Sequence, residues 1–158
     1  MSELKRFYEA QEEGYPRALS EIKNGMKVSH WMWYIFPQII GLGYSSTAQY
    51  YAIKDLEEAN EYLNDEVLGN RLREISLELL KLETNIPVMV FGMVDSLKLN
   101  SSMTLFDYIS EDSDNVFSKV IDKYYDGVKD QKTIDICNSM REKVLKKYLF
   151  IFIVKYIC

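Results

Sequence analysis

The chain contains one histidine, His30, and two cysteines, Cys137 and Cys158, among 158 residues. A zinc site draws three or four ligands from these residue types at close spacing, so the set is too small for one. The cysteines form no Cys-x-x-Cys arrangement and are expected to be free thiols. No Walker loop is present, and Gly41 and Gly43 lack the third glycine and the preceding strand of a dinucleotide fold. No run alternates apolar and polar residues for long enough to make a half-buried strand, and no repeat or low-complexity linker interrupts the chain. An excess of base is also missing: 19 Lys and Arg against 24 Asp and Glu leave a formal charge of −5, which excludes a general duplex nucleic-acid binder. Residues Met1 to Arg6 lack the apolar stretch of a secretory leader, so a cytoplasmic location is expected. No cofactor and no metal are implied.

What is present is apolar and aromatic. Hydrophobic residues make up 47% of the chain and aromatics 13%, enough for one globular core, and the periodicities predict a single all-α, multi-helix domain. Leu4, Phe7, Tyr8 and Gln11 predict a helix capped by Ser2 and ended by Gly14, and Pro16 to Ile22 a second one stopped at Asn24-Gly25. Further helices are expected over Ala48–Ile53, after an Asp55 cap, from Val67 through Leu82, over Asp114–Tyr125, and from near Asp130. The run Ile86–Phe91 fits a buried strand or a helical turn equally. The domain is expected to occupy residues 1–140. Residues 141–158 form an extension whose Tyr148–Cys158 stretch is apolar on every face, yet about half the roughly 20 residues a membrane span needs and interrupted by Lys155.

The densest segment is Ser29-His30-Trp31-Met32-Trp33-Tyr34-Ile35-Phe36-Pro37-Gln38, which holds both tryptophans and the only histidine. Buried indoles bring large apolar area and an N–H that needs a partner, so such a run is the centre of a core, the wall of a pocket, or both. With Gly41-Leu42-Gly43, Val67-Leu68-Gly69-Asn70-Arg71-Leu72, Phe91-Gly92, Asp95 and Lys98-Leu99-Asn100-Ser101-Ser102-Met103-Thr104-Leu105-Phe106, it resembles an uncharacterised bacterial family of unknown function. Members of that family are sometimes mislabelled calpastatin-like. The resemblance runs from Leu4 to Cys137 and implies an all-helical fold without implying a reaction.

Two candidate constellations follow from the residues. His30 is the side chain whose ordinary pKa lies nearest neutrality, which suits proton transfer or a structural hydrogen bond. Trp31 and Trp33, two residues apart, cannot share one helix face, so one is expected to line a pocket and the other to enter the core. Gln38 suits reading an amide or base edge, or stabilising a turn. In the second constellation, Asp95 stands with Lys98, Asn100, Ser101, Ser102 and Thr104. Should Ser101 or Ser102 open a helix, free backbone N–H groups, hydroxyls and the ammonium would converge on a phosphate or carboxylate; ordinary capping is the alternative. Arg71 is the arginine favoured to join such a site.

Gathered together, these residues describe an enzyme acting on a nucleotide- or ADP-ribose-derived phosphorylated metabolite. Trp31 or Trp33 would stack on a ring, Lys98 and Arg71 would hold phosphate, and His30 would move a proton. Other all-helical proteins process ADP-ribose conjugates, which is an analogy of fold alone. The alternatives are a non-catalytic module for a small anionic or nucleotide-like ligand, and a helical interaction protein that docks through its apolar tail. Oligomeric state is not legible from the residues.

Overall fold

The computed structural model describes residues 3–158, in which apolar residues at helical spacing form eight α-helices and no extended strand. The first, α1 (Lys5–Lys23), buries Phe7, Gln11, Tyr15, Ala18 and Ile22 along one face. Two helices divided at Gly14 were expected here, and there is one. Gly14 lies where α1 crosses Tyr34, and a Cβ there would come 2.6 Å from that ring's Cε2, so this glycine serves close approach instead of termination. Pro16 deprives the Glu12 carbonyl of an amide, but Glu12 is exposed and water can take the bond. Burial of Phe7, Tyr15 and Ile22, at about 1.5–3 kcal/mol each, outweighs an interior proline's cost of about 3 kcal/mol. The expected Ser2 cap lies outside the described residues.

A single turn, α2 (Met32–Ile35), carries the Trp-rich segment, and α3 (Ser46–Tyr51) starts at Ser45, whose side chain accepts from Ala48 N. Between them the backbone of Ile39 makes a parallel bridge with Ile53, so that Ile53 N donates to Gln38 O and Ile40 N to Ile53 O, both at 2.8 Å. This pins the loop that presents Gln38.

Asp55 caps α4 (Leu56–Asn64) as expected, accepting from Glu58 N. The Glu58 carboxylate is buried and receives Arg6 at 2.6 Å, tying the start of α1 to α4. Asp65 then ends α4 and accepts from Val67 N and Leu68 N, opening α5 (Leu68–Lys81). Gly69 follows because a Cβ at that position would stand 2.0 Å from the Leu63 carbonyl oxygen.

The ambiguous Ile86–Phe91 run is the beginning of α6 (Pro87–Ile109), with Pro87 in its first turn. Gly92 breaks the helix at φ 77°, ψ 175°, and the continuation carries the centre of the core: Leu99 and Ser101 through Phe106 are all buried. It packs against α4, α7 (Val116–Tyr125) and α8 (Gln131–Tyr156), while α5 lies between α1 and α7. The Lys123 ammonium of α7 caps the end of α5, donating to Leu79 O and Leu80 O at 3.1 Å each. In α8, Thr133 and Cys137 are buried, and every residue from Arg141 onward is exposed. No helix among the described residues is long and apolar enough to cross a membrane.

Candidate functional site

The Trp-rich segment is fastened by an acid that the sequence reading did not single out. Glu21, on α1, accepts from Ser29 Oγ at 2.6 Å, Val28 N at 2.5 Å, Ser29 N at 2.8 Å and Trp31 Nε1 at 3.0 Å. Partial burial works to raise its pKa, but the hydrogen bonds from Ser29, Val28 and Trp31 outweigh that and hold the carboxyl down at about 2. The signal was available in the rule that a buried indole N–H needs a partner. Trp31, 1% exposed, packs against Phe36 and Phe91 and enters the core, whereas Trp33 is half-buried. The two indoles thus point to different environments, Trp31 in the core and Trp33 half-buried.

Asp95, on α6, receives two lysines, each lying over one of those indoles. Lys27 bridges to it at 2.8 Å and stands 5.1 Å from the Trp31 ring centroid. Lys98 reaches it at 3.6 Å and stands 4.9 Å from the Trp33 ring centroid. The structure therefore brings Lys98 to Trp33, although 64 positions of chain lie between the two residues.

Beside this pair lies an open hollow of about 350 Å³, walled by Gln38 and Gly43 of the pinned loop, Lys98 and Ser101 of α6, and Asp130 and Lys132 at the start of α8. Trp33 lines an adjoining cleft that shares Gln38 and Gly43 with the hollow. Larger hollows of about 520 and 590 Å³ open elsewhere on the surface and contain none of the residues predicted for the site.

Of the two readings open for Ser101 and Ser102, a helix start that binds an anion is not the one the fold adopts. Both lie in the middle of α6, where their backbone N–H groups are used by the helix and unavailable to an anion. Ser101 Oγ donates to Leu97 O and to Asp130 Oδ2, the latter at 3.0 Å. Thr104 Oγ1 accepts from Asp130 N at 3.0 Å and lies 3.2 Å from Asn100 Oδ1. Asp130 in turn caps α8 through Thr133 N and Thr133 Oγ1. The two hydroxyls therefore hold the Asp130 cap. Ser102 is fully buried, and its Oγ has no hydrogen-bond partner.

Arg71 and His30 lie apart from the hollow. Arg71 stands over the Tyr15 ring at 5.1 Å and points Nη1 at Gln11 Oε1, 3.5 Å away, at the contact of α5 with α1. His30 is exposed and makes no hydrogen bond or ion pair among the described residues. Neither lines the hollow. Lys132, which does, was not foreseen, because nothing before folding links the start of α8 to the Gln38 loop. No group of three His, Cys, Asp or Glu among the described residues is placed to hold a metal ion. Cys137 and Cys158 are free, and burial pushes the Cys137 thiol up to about 11, which keeps it protonated near neutrality.

Comparison with known proteins matches this architecture to uncharacterised relatives. A family model described as a protein of unknown function, DUF1810, matches residues 1–137. The crystal structure of the conserved hypothetical protein Rv1873 from Mycobacterium tuberculosis is similar at 40% identity with a TM-score of 0.82, over 85% of this chain and 96% of that one. No curated protein matches. The chain belongs to the DUF1810 family of proteins of unknown function, an uncharacterised family as the motif resemblance implied.

Proposed function

We propose that this chain binds a small anionic ligand in the hollow between the Gln38 loop, α6 and the start of α8. The observation that carries the reading is that two lysines, Lys98 and Lys132, line one open cavity, the Lys98 ammonium resting over the neighbouring Trp33 ring. Lys132 has no ion pair among the described residues, and Asp95, the carboxylate that pairs with Lys98, is held more closely by Lys27. Asp130, the acid on the same wall, is occupied in capping α8. The Gln38 side-chain amide makes no hydrogen bond within the described protein and is free to read a polar edge. A volume of about 350 Å³ is within the range of small-molecule sites.

The ligand class that fits is a phosphorylated metabolite of nucleotide or sugar-phosphate size, including ADP-ribose derivatives. Its charge would lie between the lysines and a flat group toward Trp33. A purely binding role is favoured over catalysis, because His30 stays outside the hollow and Ser101 is committed to Asp130.

The test is a thermal-shift screen of nucleotides, sugar phosphates, ADP-ribose and inorganic pyrophosphate against wild type, Lys98→Ala and Lys132→Ala. A ligand at a hundred times its Kd stabilises by about 2.7 kcal/mol, a shift of several degrees for a chain of this size. The expected result is a rise in wild type that is lost in both variants. Equal rises in all three proteins, or none in any, contradict the proposal, and turnover of the ligand that needs His30 would restore the enzymatic reading.

A further inference from the structure

Residues 141–158, the end of α8 and the two residues after it, leave the body of the protein, and every one of them is exposed. The family match ends at residue 137, short of this segment. Its apolar side chains are large and wet: Tyr148 is 67% exposed, Leu149 59%, Phe150 68% and Phe152 54%.

The order of residues selects what covers them. Leu145, Tyr148, Leu149, Phe152, Ile153 and Tyr156 recur at helical spacing and form one stripe. Lys146 and Lys155 flank the stripe at its two edges, Lys143 and Lys147 fall on the other half of the helix, and against these four and Arg141 the segment has a single acid, Glu142. The segment is thus strongly basic in a chain whose total charge is −5, so the remaining residues are more acidic still.

Phe150, Ile151 and Val154 lie among the lysines on that other half. A second helix docked on the stripe would leave those three in water, and the stripe spans fewer heptads than a stable coiled coil needs. The boundary of a lipid leaflet takes both halves, the stripe in the acyl region and the mixed half at headgroup level. The helix satisfies its own backbone groups, its apolar residues enter the acyl region, and its lysines extend their stems to reach anionic headgroups.

We propose that residues 141–158 are a membrane-surface anchor that docks in one leaflet of an anionic lipid bilayer without crossing it. This stands independently of the ligand hollow, since it uses none of the same residues.

The experiment uses the full chain carrying Phe150→Trp, mixed with phosphatidylcholine vesicles with and without phosphatidylglycerol. Because the segment is wholly exposed, substitutions there leave the core untouched. The expected result is a blue shift of the added indole with anionic vesicles, quenching by brominated acyl chains beyond that of the unsubstituted chain, and weakening by salt. Charge reversal at three lysines, K143E, K146E and K147E together, lowers partitioning by about a hundredfold or more. Leu149→Ser with Phe152→Ser reduces it at least as far. An unchanged emission with anionic vesicles overturns the proposal, as does equal partitioning to neutral vesicles. Concentration-dependent self-association that hides the indole and is indifferent to lipid overturns it in favour of a second copy of this chain.

Discussion

The Lys98 ammonium lies 4.9 Å from the centroid of the Trp33 ring. A cation over an indole in a partly exposed setting is worth about 0.5–1 kcal/mol, and the 3.6 Å approach of Lys98 to Asp95 adds little at such exposure. Lys98 is held loosely enough to turn toward a ligand. Lys98→Met is therefore expected to cost less than about 1 kcal/mol in urea unfolding while changing the Trp33 emission and removing any ligand-induced rise in Tm. A large loss of stability would show Lys98 to be structural.

Acid should loosen the Trp-rich segment through Glu21. Its carboxyl is held down at about 2 in the folded protein against an ordinary 4.5, so ionised Glu21 stabilises the fold above about 4.5. That contribution falls away as the pH drops from 4.5 toward 2. Urea unfolding followed by tryptophan emission across that window should show wild type losing its advantage over Glu21→Gln. Parallel pH profiles for the two proteins would contradict the assignment.

Ser101 and Ser102 are neighbours with opposite expectations. Ser102 buries a hydroxyl with no partner, so Ser102→Ala is expected to leave Tm unchanged or raise it. Asp130→Ala removes the cap of α8 and frees Ser101 and Thr133, with a cost of about 1–2 kcal/mol expected in chemical denaturation. A Ser102→Ala protein that is markedly destabilised would mean that the hydroxyl has a partner after all.

Gly69 tests the packing of α4 onto α5. The Leu63 carbonyl leaves no room for a methyl, and backbone must move to make any, so Gly69→Ala should cost about 1–3 kcal/mol or more despite alanine's better helix propensity. Thermal unfolding decides it, since relief by helix propensity alone would raise Tm.

The helices that were legible were those whose periodicity and caps agreed: Asp55, Asp65 and Asp130 each open a helix at or beside the expected place. Gly14 misled because a glycine that admits a neighbouring ring looks, in one dimension, like a glycine that ends a helix. Ser101 and Thr104 misled for a related reason. Their hydroxyls do serve a helix start, but it is that of α8, reached only once α6 and α8 are packed. Trp33 and Lys98 come from different motifs, and their contact is a product of the fold. Glu21 and Lys132 carry no motif of their own and become visible only through what surrounds them.

A crystal soaked in inorganic pyrophosphate tests most directly whether the hollow is an anion site. The predicted result is an anion between the Lys98 and Lys132 ammonium groups, with at least one oxygen about 3 Å from each. Pyrophosphate bound elsewhere, or an empty hollow at concentrations that raise Tm, would contradict it.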